Sequence, residues 1–222
     1  MDCTRKFVLI SSIACIIASL GEFLTIFILA TYYPGYSQLH DTMSSLGASN
    51  SPVSDIISDW WIIMGFLFII FGAGVFIAFK DFPVYSRISA ICIILYGLGE
   101  GIGSGAFKAD HTATGLTNMA IIHDALGGIG VVAILALPIF MLKIIKRDEN
   151  QLFHLISKIV FVTGILTIFL FMTRFLSNQN NFFAINKGLW QRLFMLNTYI
   201  YLVYIAILMI RQKPNTKMKS ED

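Results

Sequence analysis

GLGEGIGSGAF, residues 97–107, sets one carboxylate, Glu100, among five glycines. By itself, a glycine run holding a charge reads as a loop. Its surroundings reverse that reading. From 88 to 107 the chain runs for 20 residues with Glu100 as the one charged side chain. About 20 apolar residues are what a helix needs to cross a hydrocarbon core of about 30 Å. Taken as a membrane helix, the stretch has a different logic. The glycines become contact surface for neighbouring helices, and Glu100 becomes a buried polar group that needs partners.

The rest of the chain agrees. Hydrophobic residues make up 56% of the 222 and charged residues only 13%, whereas soluble domains carry about 25% charged residues. Mean hydropathy is +0.75. Five further stretches pass the length test: 7–30, 60–79, 120–142, 155–175 and 190–210. Arg5 and Lys6 before an apolar run resemble a signal peptide, but the run continues to Ala30, far enough to span. The expectation is an all-α fold: one integral membrane bundle of six transmembrane helices over residues 1–211, with a cytoplasmic tail at 212–222. Asn50-Ser51-Pro52 reads as a helix cap followed by a first-turn proline, and Pro138 as a kink in the fourth span. Cys3, Cys15 and Cys92 fit neither a disulfide framework nor a zinc pattern.

Basic residues set orientation. With both termini cytoplasmic, the inner side collects all of the 16 Lys and Arg except Lys108, Arg174, Lys187 and Arg192, and the first outer loop has none. Trp60, Trp61 and Trp190 then fall at the outer interface, where aromatic belts form. Helical rise converts position into depth. Glu100 lies roughly 20 Å beyond Arg87, and Glu22 and Arg174 about 24 Å beyond Lys6 and Lys158, at about 1.5 Å per residue. All three sit in the outer half of the core, with His123, Asp124 and Arg192 near its boundary. An ionised side chain at such depth costs at least about 2.5 kcal/mol, so these groups face inward and pair with one another. Glu22, Glu100, His123, Asp124, Arg174 and Arg192 therefore form the candidate ligand-binding set. A weaker metal set is His40, His111 and His123, imidazoles that could hold zinc with nearby aspartates. These three are spread over two loops and a helix start, with no His-x-x-x-His spacing to fix a geometry.

The glycines sort into two stripes: Gly97, Gly101 and Gly105 on one face, Gly99 and Gly103 on the adjacent one. Close packing of neighbouring helices is the expected use; the alternative is a helix loosened around a ligand, as in transporters. Leu20-Gly21-Glu22 echoes Leu98-Gly99-Glu100, and His40-Asp41 echoes His123-Asp124, at a period near eighty residues.

Three motifs carry a family resemblance. The first is Gly35-Tyr36-Ser37, then Asp41-Thr42-Met43-Ser44-Ser45-Leu46-Gly47-Ala48, then Ser51-Pro52. The second runs from Leu116 to His123 at the start of the fourth span, and the third is Gly188-Leu189-Trp190-Gln191-Arg192-Leu193. In order and content they resemble the domain-of-unknown-function 998 family. That resemblance implies a bacterial multi-pass protein of the cytoplasmic (inner) membrane, with about six helices and no established activity.

Three functional expectations follow. One is binding or transport of a lipid or small amphiphile, or proton relay, through an outward-facing polar cavity. The second is a structural charge network in a partner subunit, and the third a zinc-dependent intramembrane hydrolase. A non-enzymatic role is favoured. Phosphate loops, dinucleotide fingerprints, haem attachment motifs and nucleic-acid signatures are absent from the sequence. No cofactor other than the weakly supported zinc is expected, and no nucleic acid. Membrane lipids and a second copy of the chain are the expected partners.

Overall fold

The computed structural model describes residues 3–112, 115–175 and 181–212. The expected tail lies outside the described residues apart from Gln212. Among the described residues, six helices are long and apolar enough to cross a membrane: α1 Cys3–Ala30, α2 Ser54–Ala78, α3 Pro83–Ala106, α4 Asn118–Ile144, α5 Gln151–Phe175 and α6 Lys187–Arg211. The one small sheet among the described residues pairs β1, His111–Thr112, with β2, Gly115–Leu116. At 24 to 28 residues, each helix runs about 36–42 Å, longer than a core of about 30 Å. Hydropathy detects only the greasy part, so most expected spans are trimmed at one or both ends.

Local chemistry sets the ends. Thr117 Oγ1 accepts from Ala120 N–H at 3.1 Å and starts α4; Asn150 Oδ1 accepts from Phe153 N–H at 2.9 Å and starts α5. The expected cap at 50–52 is different: α2 begins after Pro52, at Ser54, with Val53 in the cap position and no side-chain cap bond. Pro138 lies inside α4 without ending it. Arg5 closes the far end of α6 by donating to Met209 O at 2.8 Å and to Ile210 O, which supplies the orphan carbonyls of a helix C-terminus with a cation.

Successive helices pack side by side and α6 closes against α1, so the bundle is a ring. The short α2–α3 and α4–α5 turns lie at the same end as Cys3 and Arg211, the terminal end; the described parts of the longer connections lie at the other, called here the loop end. α3 is the most embedded member, with 61% of an 18-residue window along it buried. Its two glycine stripes explain this. A Cβ at Gly101 would run into Gly65 of α2, and one at Gly99 into the Leu126 carbonyl of α4. The stripes thus seat α3 between two neighbours at backbone distance. The same segment, Gly97–Gly103, also widens into a π-turn. Glycines weaken the preference for the α form, and such π-bulges recur at functional sites. Close packing is thus the use of the glycines that the contacts carry, and the helix is widened over the same seven residues. The cysteines are free, Cys15 and Cys92 buried and Cys3 exposed.

Candidate functional site

Beneath the loop end lies a cavity of about 110 Å³ to which all six helices contribute. Glu22, Glu100, Asp124, His123 and Arg174 line it, with Trp61, Ser104 and Gln191 among their polar neighbours. Five of the six expected ligand residues therefore meet. Arg192 is the exception, and it does not line this cavity.

Glu22 is almost fully buried, at 1% exposure. Its carboxylate takes an indole N–H on each oxygen, Trp60 Nε1 at 2.8 Å and Trp61 Nε1 at 3.0 Å. These two tryptophans were expected as interface anchors. They turn inward instead, because a buried carboxylate needs donors and an indole N–H has only a donor to offer. Room for them is made by Gly21 and Gly47: a Cβ on Gly21 would stand 2.5 Å from Trp60, and one on Gly47 would strike Trp61. Trp190 is half-buried and donates to Phe183 O at 2.9 Å.

Glu100 projects from the π-turn toward α4, where a Cβ on Gly127 would lie 2.9 Å from its Oε1. Arg174 belongs to the last, 3₁₀ turn of α5. Its guanidinium lies 4.0 Å from the centre of the Phe171 ring and 4.5 Å from that of Phe175, a cation–π seat that holds it in place. Asp124, Glu100 and Glu22 border the same cavity as this guanidinium. His123 Nδ1 stands 2.9 Å from the Phe107 carbonyl. A carbonyl can only accept, so Nδ1 carries the proton and, in the neutral ring, Nε2 is the acceptor nitrogen.

Arg192 does other work. Its guanidinium donates to Gln38 Oε1 at 2.7 Å, to the Asp41 and Gly188 carbonyls at 2.9 Å, and to the Tyr36 hydroxyl at 2.5 Å. Tyr36 in turn donates to Thr42 O at 3.0 Å, and Gln191 Oε1 accepts from Met43 N–H at 2.7 Å. Burial pushes the Tyr36 hydroxyl above the usual tyrosine range, against the pull of Arg192, so it stays neutral between the two. The approach is a β-turn at Pro34-Gly35, closed by Tyr36 N–H to Tyr33 O at 3.1 Å, with Gly35 at φ 81°. Ser49 extends the clasp by donating to Asp110 from its backbone and its hydroxyl, both at 2.7 Å. The 31–53 connection is thus pinned over the bundle, and its buried Met43 lines the cavity below. On its other side is an open basin of about 770 Å³ that includes Asp41, Asp110 and Lys187. Arg174 lines both spaces.

Among the described residues no three His, Cys, Asp or Glu side chains are arranged to hold an ion. His40 is exposed and within 3.3 Å of Ser37 Oγ, whereas His123 is buried on α4. The His111 side chain lies outside what is described. Sequence reading missed Trp60 and Trp61 as partners of Glu22, and Met43 and Gln191 as walls. The available signal was depth: the two indoles start a span at the loop end, the level at which α1 carries Glu22.

Fold and site together define a polytopic α-helical membrane protein with a polar cavity under its loop end. Residues 16–208 match the family described as Protein of unknown function (DUF998), and the chain belongs to that family. The resembling motifs at 35–48 and 188–193 are the two halves of the Arg192 clasp. No curated protein and no solved structure matches the chain.

Proposed function

We propose that the chain binds the polar head of a lipid or small amphiphile in the cavity beneath its loop end, with that end facing outward as the basic-residue bias favours. The observation that carries this reading is the meeting of Glu22, Glu100, Asp124 and Arg174, from four different helices, on one small space. Charges at membrane depth usually mark a substrate or ion site. Arg174 offers a planar fork suited to phosphate or carboxylate. Glu100, Asp124 and the acceptor nitrogen of His123 suit N–H or O–H donors on the same head. A purely structural network would bring each carboxylate a cation; Glu22 instead takes two neutral indoles.

The test is native mass spectrometry of the purified protein, alongside its thermal unfolding. Wild type retains a bound amphiphile. Arg174→Gln and Glu100→Gln lose it, with the unfolding temperature kept or raised, because sites that bind charge are built at the expense of stability. Absence of any adduct, with both variants clearly destabilised, would return these residues to a structural role.

A further inference from the structure

We infer that the cavity is reached sideways, from the hydrocarbon, through a seam between α4 and α5, and that the ligand's tail stays in that seam while its head is held inside. The inference rests on the head-group reading above and adds the route and the amphiphilic class. Size is the first argument. About 110 Å³ holds a few waters or a small head, well short of the roughly 300–1,000 Å³ that encloses a drug-sized ligand. A tail has to leave.

The walls say where. At the loop end Met43 lies over the cavity at 3% exposure, its N–H held by Gln191, beside half-buried Ser44 and Arg174, whose polar groups give a hydrocarbon tail no apolar rim. On the α4–α5 side the lining residues reach the bundle surface. Gly128 and Met172 are exposed, Val131 and Ile168 half-buried, and all four border the cavity. A Cβ on Gly128 would meet nothing within 4 Å, so this glycine leaves a gap instead of making a contact. Because both helices cross the membrane, what faces the gap is acyl chain. The rim is apolar, matching a tail, and the depths are polar, matching a head. α5 is also the least embedded of the six helices, with 22% of an 18-residue window along it buried. Its side-chain ties to α6, Ser157 Oγ to Tyr201 OH at 2.9 Å and Thr163 Oγ1 to Asn197 Oδ1 at 2.8 Å, lie toward the terminal end and at mid-helix, away from the cavity's level at residues 168–174.

Access can be read without any ligand. Ser104 is buried on the cavity wall, so Ser104→Cys, in a background with Cys3, Cys15 and Cys92 changed to Ala, puts a thiol inside. In phosphatidylcholine vesicles, a long-chain alkyl maleimide dissolved in the bilayer should modify it. A charged, membrane-impermeant thiosulfonate applied to both faces should not. Gly128→Phe, or Met172→Trp from the opposite lip should the first variant fold poorly, should abolish maleimide labelling. Thiosulfonate labelling that survives either lip variant would overturn the seam in favour of the loop-end basin; maleimide labelling that survives both lip variants, or a thiol that neither reagent reaches, would overturn the seam without favouring the basin. Because no ligand is present, this result stands or falls apart from the mass-spectrometric test of binding.

Discussion

α3 and α5 are both apolar helices of the same ring, yet 61% of one window is buried and only 22% of the other. α3 trades side chains for backbone contact, with glycines against α2 on one face and against α4 on the next. α5 keeps large residues such as Ile165, Leu166 and Phe169 turned outward, and joins α6 through a few hydroxyl and amide groups. Between helices in lipid no hydrophobic force drives association; close packing and hydrogen bonds do. Packing alone therefore leads us to expect α3 to be the rigid wall of the bundle and α5 the looser one, an expectation that the variants below test. Each contributes one ionisable side chain to the cavity, Glu100 from α3 and Arg174 from α5.

The largest effect tests the rigid side. Gly101→Val puts side-chain carbons into the backbone of α2 at Gly65, where nothing can rotate away. Overpacking of this kind should lower stability by about 3 kcal/mol, measured by unfolding in detergent. A loss below about 1 kcal/mol would mean that α2 and α3 can separate cheaply, and the contrast with α5 would disappear.

On the loose side a polar tie is being cut. Asn197 Nδ2 donates to Val160 O at 2.9 Å and its Oδ1 accepts from Thr163. Asn197→Leu keeps the volume and removes both bonds. Thr163 Oγ1 retains the Ile159 carbonyl at 2.8 Å, so no buried donor is orphaned. Interhelical bonds of this sort are worth about 1 kcal/mol in membranes, and the same unfolding measurement should report a loss of that size. A cost equal to that of Gly101→Val would show that α5 is held as firmly as α3.

The architecture was legible because lipid allows few solutions. A helix must be about 20 residues long and apolar, and the two glycine stripes were visible from spacing alone. Glu22, Glu100, Asp124, His123 and Arg174 could be gathered because depth follows from counting residues. Angular position around the ring was not legible. Arg192 has the right depth, but it points at Tyr36 and Gln38, and nothing in its own helix encodes that. Trp60 and Trp61 were read as anchors because composition cannot separate an indole facing lipid from one donating to Glu22. The echo of Leu-Gly-Glu at 20–22 and 98–100 goes as far as two glutamates lining one cavity; its histidine half does not hold, since His40 is exposed and His123 buried.

The smallest effect is the sharpest comparison, because it repeats a glycine replacement where no neighbour stands. Gly128→Ala adds a methyl to an α4 position with nothing within 4 Å. Alanine is the better helix former by roughly 0.5–1 kcal/mol, and no clash offsets that gain. The variant should be unchanged or slightly more stable. One methyl should also leave the seam passable, so labelling of the Ser104→Cys thiol by the alkyl maleimide should persist, in contrast to Gly128→Phe. A clear loss of stability here would mean that α5 or a second chain lies against Gly128 after all, and that α4 is as tightly walled on this face as α3 is on both of its own.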